Sequence, residues 1–102
     1  MRKTKQQVAT LGLEARQVLE NPAFGEAFER MGSAIVSAWR KCDLRDVEGQ
    51  RLLLQQAKLV DRIKGTLGGL IEQGKLAEAQ IEAEDLRDES RLRRGLRSVT
   101  GR

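Results

Sequence analysis

The sequence predicts an all-α protein built on an antiparallel helical hairpin. Three observations lead there. Leu, Ala, Glu, Arg and Gln dominate a chain of 102 residues that holds one Pro and no Tyr, a composition that favours helix. Apolar residues recur three and four apart through most of its length, the period of a one-sided helix. Breaks are few, at Asn21-Pro22, between Asp43 and Asp46, and at Gly74. They divide the chain into an N-terminal packing helix, a hairpin of helices over about 22–41 and 46–73, and a charged C-terminal helix or tail.

The first helix is expected over residues 5–20. Thr4 and Gln7 stand at the spacing of a capping box, in which hydroxyl and amide groups satisfy each other's backbone partners. Val8, Leu11, Ala15 and Val18 then form one apolar stripe. Pro22 ends this helix, because it disfavours helical backbone at Asn21 and has no amide proton to donate. It also suits the first position of a second helix capped by Asn21.

The second helix carries Phe24, Phe28, Met31, Ile35 and Trp39 at spacings of 4, 3, 4 and 4. Both Phe residues and the only Trp lie on this stripe, so it is expected at the centre of the core. Glu26 and Arg30 are placed to pair at i, i+4. Ala38 and Cys42 flank the same face, and Cys42 reads as a buried structural thiol.

An Asp between residues 43 and 46 caps the third helix, whose stripe includes Leu53, Ala57, Val60, Ile63 (or Lys64 by its stem), Leu67 and either Leu70 or Ile71. Its near-heptad spacing suits an antiparallel partner, expected to be the second helix. Gly65, Gly68 and Gly69 weaken the C-terminal half, each by about 1 kcal/mol relative to Ala. Either the helix breaks near Gly68-Gly69, or the glycines permit a close crossing. Gly74 reads as its stop. Leu76, Ala79, Ala83 and Leu86 then continue a stripe that fails at Ser90, and Leu92, Leu96 and Val99 begin a short separate one.

Length permits one domain, read as a helical body over 1–77 with a charged extension over 78–102. A chain this short buries only about 60–65% of its unfolded surface, and just 3% of it is aromatic. Self-association or docking on a larger partner would supply the missing burial.

Net charge is +4, but its placement says more. Residues 1–5 carry Arg2, Lys3 and Lys5 with no acid, and residues 90–102 carry Arg91, Arg93, Arg94, Arg97 and Arg102 with none either. Residues 6–89 hold 11 basic and 15 acidic side chains. An acidic helical body thus has two basic ends. Such arms neutralise phosphates with little sequence preference, which makes these eight residues the candidate nucleic-acid contacts. Their bland alternative is a solubilising tail.

Several chemistries find no support. The chain has no His and one Cys, which removes the commonest general base and any cysteine-based zinc site. Gly74-Lys75 is followed by Leu76 and no strand precedes it, so the phosphate-loop pattern fails. The acidic residues of 78–89 spread around a helix and read as a solvated face rather than a calcium loop. A DNA-reading helix-turn-helix would place Pro22-Ala23-Phe24-Gly25-Glu26 against phosphate, where it carries no cation. No enzyme and no cofactor are expected. There is no run of 18 apolar residues for a membrane span, and the opening Met1-Arg2-Lys3-Thr4-Lys5 is followed by Gln6 and Gln7 where a secretory signal needs an apolar core. An intracellular place is expected, and membrane contact is not.

Residues 20–77 carry Glu20-Asn21-Pro22-Ala23-Phe24, then Phe28 and Ile35 leading to Ala38-Trp39-Arg40, then Asp46-Val47-Glu48-Gly49, a Leu-rich helix and Gly74-Lys75-Leu76-Ala77. This order resembles small helical proteins encoded among the virion assembly genes of tailed bacteriophages. The resemblance covers about half the chain and brings no catalytic residue with it. It implies a structural or assembly protein of the host cytoplasm or the virion, a homo-oligomer docking on capsid, portal, scaffold or terminase. An alternative it allows is a DNA-binding oligomer like the small terminase subunit.

Overall fold

The fold comes from a computed structural model that describes residues 2–100, with side chains described through residue 96. The described chain is all-helical: α1 (Lys5–Glu20), α2 (Pro22–Lys41) and α3 (Val47–Thr100). Local chemistry accounts for most boundaries. Thr4 and Gln7 form the expected capping box on α1. The Asn21 side chain accepts from the amides of Ala23 and Phe24 at 2.9 and 3.2 Å, with Pro22 in the first turn of α2. Asp46 opens α3 by accepting from the Gly49 amide at 2.9 Å. Asp43 holds the preceding turn through the Arg45 amide, and the Gln50 amide group donates to the carbonyls of Asp43 and Leu44.

The third helix differs from the expectation. It does not stop at Gly74 or break at Gly68-Gly69, but continues unbroken to Thr100 for 54 residues, a length of about 81 Å at 1.5 Å per residue. The molecule is accordingly a rod of 87 × 26 × 20 Å. Its radius of gyration is 23.7 Å, against about 13 Å for a compact chain of this size. Two arms make the rod. One is α3, and the other is α1 followed by α2, laid end to end and broken only at Asn21-Pro22.

Both halves of the broken arm run antiparallel to α3. Lys5 reaches Glu84, Gly12 meets Gly74, Phe28 lies beside Lys64, and Trp39 lies beside Leu53 and Leu54. One row of α3 serves them both. Leu53, Val60, Leu67, Gly74 and Ile81 are spaced seven apart, and all are buried or half-buried, as a seam between paired helices requires.

The tighter half is α1 against α3, not α2 against α3 as expected. The α1 seam is Val8, Gly12, Ala15 and Leu19, with Ala9 at its edge, while Val18 of the expected stripe is 37% exposed. A Cβ on Gly12 would stand 2.8 Å from the Gly74 Cα, so the two backbones touch. The close crossing is made here, while Gly65, Gly68 and Gly69 face open space. Spacing between helices follows the side chains at the contact. Glycine and alanine bring α1 close, and Phe24, Phe28 and Lys64 hold α2 further out.

The core is thin. Its buried apolar side chains are Ala9, Ala15, Phe28 and Ala77, and no described side chain is completely buried. Phe28 stacks at a tilt on Phe24, with ring centroids 4.4 Å apart, and the Lys64 ammonium sits 5.2 Å from its ring centre. Trp39, expected at the core centre, is 59% exposed, and Met31 is 40% exposed. Phe24, Ile35, Leu53, Val60 and Leu67 are half-buried. Two helices form a single layer, which covers only the line where they touch. A residue a quarter-turn from that line stays in water.

Candidate functional site

Two features of this rod are candidate sites: a charged pole and a pair of apolar faces. At the pole, antiparallel packing brings the N-terminal cations to the far part of α3. The Lys5 ammonium pairs with Glu84, both side chains being half-exposed. That bond holds the Glu84 carboxyl below its ordinary range, through the hydrogen bond first and the charge of Lys5 second. Arg2 and Lys3 precede it and are exposed.

Past Glu84, α3 runs on for 16 further residues, about 24 Å. Arg91, Arg93 and Arg94 are exposed on this projection. Arg93 donates to Glu89 at 2.8 Å, as its i, i+4 spacing predicts. Asp88, Arg91, Leu92, Gly95 and Leu96 line a shallow hollow along one side. The two basic ends therefore share one pole of the molecule, separated by the acidic band between Glu78 and Glu89. The side chain of Arg97 and all of Arg102, two of the candidate contacts, lie outside the described residues.

The apolar faces flank the α2–α3 seam. On one side, Ile35, Val36, Trp39, Leu53, Leu54 and Ala57 enclose a greasy notch of about 210 Å³. Beside it, Arg40, Lys41 and Lys64 rim an open groove with Ser33, Ser37 and Glu29. On the other side two apolar rows run along the helices, with Arg30, Lys41 and Arg62 exposed at their margins. Ala27, Met31, Ala34 and Ala38 of α2 are spaced 4, 3 and 4, and Leu52, Leu59 and Ile63 of α3 are spaced 7 and 4. All seven are exposed. They lie about half a turn around their helices from Val36 and Leu54, so both rows occupy the same, opposite side of the layer.

The alanine row is legible in the sequence once α2 is read for two stripes instead of one. Reading only the aromatic stripe hides it. Cys42 is half-buried at the hairpin turn, with its thiol donating to the Asp46 carboxylate and carbonyl at 3.7 and 3.8 Å. Partial burial, then the Asp46 charge and hydrogen bond, then Asp43, push its pKa up.

Among the described residues no group of three metal-ligating side chains comes together, and no helix is long and apolar enough to cross a membrane. No protein-family model, no curated protein and no solved structure matches this chain. Its surfaces have to be read on their own chemistry.

Proposed function

We propose that this is a non-enzymatic docking protein of tailed-bacteriophage particle assembly, working in the host cytoplasm or carried in the virion. One observation carries the docking half. Fifteen large apolar side chains are exposed among the described residues, while none is completely buried. Exposed apolar surface in contiguous patches marks binding sites, and here it follows both sides of the hairpin. The phage setting rests on the resemblance of residues 20–77, from the Asn21-Pro22 junction to Gly74-Lys75. Its partners are then other particle proteins: capsid, portal, scaffold or terminase. Mass spectrometry of purified particles tests this. A virion component is present at a defined copy number, and an assembly factor enriches with particle precursors. Absence from both ends the reading.

A second reading, a small terminase subunit-like DNA-binding oligomer, is favoured by the gathering of Arg2, Lys3, Arg91 and Arg94 at one pole. Phosphate neutralisation by such a cluster is independent of sequence and sensitive to salt. That protein forms a ring-sized oligomer, is missing from mature particles and retains duplex DNA at low salt. If no DNA is retained at low salt, this reading falls.

A further inference from the structure

We propose that two copies of this chain pair through the alanine- and leucine-bearing face of the hairpin, about a two-fold axis parallel to the helices, to form a four-helix bundle. The face comprises Met31, Ala34 and Ala38 of α2 with Leu52, Leu59 and Ile63 of α3. This rests on the reading of the exposed apolar surface as a protein-binding surface, and names its occupant as a second copy.

Area is the first argument. The chain exposes 8805 Å², whereas a monomeric globular protein of 11.4 kDa exposes about 5,800 Å². Part of the excess of about 3,000 Å² belongs to the projecting end of α3. The rest lies along the hairpin, where a stable interface needs roughly 800 Å² per partner. Stable domains are built from at least two packed layers, and this hairpin is one layer.

Complementarity is the second argument, and it selects a second copy over a different protein. The face has no acid or base among its apolar residues; Gln55, Gln56, Arg62 and Thr66 flank it on α3, and Arg30 and Lys41 on α2. Its apolar centre carries no charge that would repel its own image, and the cations Arg30, Lys41 and Arg62 stay at the margin. It is also divided into a flatter half and a raised half: alanines beside Met31 on α2, larger side chains on α3. Within one chain Phe28 stands level with Lys64, and Ile35 and Trp39 with Ala57 and Leu53. Continuing that register puts Ala34 level with Leu59, and Met31 between Leu59 and Ile63. Rotation about an axis parallel to the helices preserves level and exchanges the halves. Leu59 of the second copy then lies over Ala34, Leu52 comes within about 3 Å of the level of Ala38, and all neighbouring helices are antiparallel. An axis across the helices instead sets leucine on leucine and alanine on alanine.

The chosen axis also brings both charged poles to the same end, which doubles the exposed cations there. Trp39 and the notch beside Leu54 remain outside, open to a different partner.

Light scattering at micromolar concentration tests the pairing. The native protein is expected at the mass of two chains, Leu59→Glu and Ala34→Glu at one, and Val36→Glu, on the opposite side, at two. Circular dichroism reports whether each variant keeps its helix, and having two face variants guards against one that unfolds. For the axis, Ala34→Cys and Leu59→Cys proteins on a Cys42→Ser background are mixed and treated with a short bis-maleimide. Mixed Ala34→Cys to Leu59→Cys products are expected to predominate. A one-chain native mass, a two-chain mass for folded face variants, a larger assembly indifferent to them, or predominance of the Leu59→Cys homodimer overturns the proposal. A one-chain protein that still enters particles overturns the pairing and leaves the docking function standing.

Discussion

Gly12 of α1 and Gly74 of α3 meet backbone to backbone, and neither can gain a methyl group without moving a helix. A Cβ on either would stand 2.8 Å from the other's Cα, and one on Gly12 would stand 2.9 Å from the Leu70 carbonyl oxygen. Alanine raises helix propensity by about 1 kcal/mol at any of these glycines, so the sign of each substitution depends on space. Gly12→Ala and Gly74→Ala are expected to destabilise by about 1–3 kcal/mol through overpacking. Gly68→Ala, facing open space, is expected to stabilise by up to about 1 kcal/mol. Urea unfolding of the three variants checks the contrast, and equal shifts at all three positions would show that the crossing is not close.

The same antiparallel packing sets Lys5 against Glu84. Because the carboxyl titrates lower in the folded chain than in the unfolded one, its contribution is full above the ordinary glutamate range. It is lost as pH falls through the lowered folded value. Lys5→Ala is expected to return the Glu84 titration toward its ordinary range, read by carboxyl-carbon NMR. Added salt is expected to shrink the difference between native and variant, since both groups are half-exposed.

Phe28 and Trp39 share a helix but not an environment, at 6% and 59% exposure. Phe28→Ala is expected to cost about 3 kcal/mol in thermal or chemical unfolding, and Trp39→Ala less than about 1.5 kcal/mol. Native tryptophan fluorescence is expected to be red-shifted and readily quenched by acrylamide. A blue-shifted, protected Trp39 would mean that a partner covers the notch beside Leu54.

At the hairpin turn, Asp46 both caps α3 and raises the Cys42 pKa. Asp46→Asn keeps a capping oxygen but removes the charge. The thiol pKa is then expected to fall toward its ordinary value, and alkylation of Cys42 at mildly alkaline pH to quicken. Unchanged alkylation with intact helix would assign the shift to burial alone.

If the pole binds nucleic acid, replacing Arg91, Arg93 and Arg94 with Gln weakens retention without changing sequence preference. On duplex DNA, the slope of log affinity against log salt is expected to drop by about 0.9 for each phosphate that the variant no longer neutralises. Arg93 is expected to contribute least, because Glu89 already holds it.

Much of the fold is legible from local pattern. The Thr4–Gln7 box, the Asn21 cap with Pro22, and the pairs Glu26–Arg30 and Glu89–Arg93 all join residues within four positions of one another. Gly74 misleads for a physical reason. Followed by Lys75, it has the local look of a helix stop, but contact with Gly12 makes up for its poor propensity and α3 passes through. The aromatic stripe of α2 misleads in a similar way. Hydrophobicity ranks Trp39 as core, yet a single helical layer has no place to bury it.

Local sequence is enough to make this chain helical and to set where α1 and α2 begin and end, because caps, proline geometry and i, i+4 pairing act within one turn of backbone. Tertiary packing is needed to make α3 one continuous rod and to bring Gly12 to Gly74. Packing also gathers the two basic ends at one pole and leaves one largely apolar face uncovered. Each of these depends on the register between segments far apart in the chain or on the directions of two helices together. That register is settled by where small side chains let backbones touch, and no local pattern in either helix contains it.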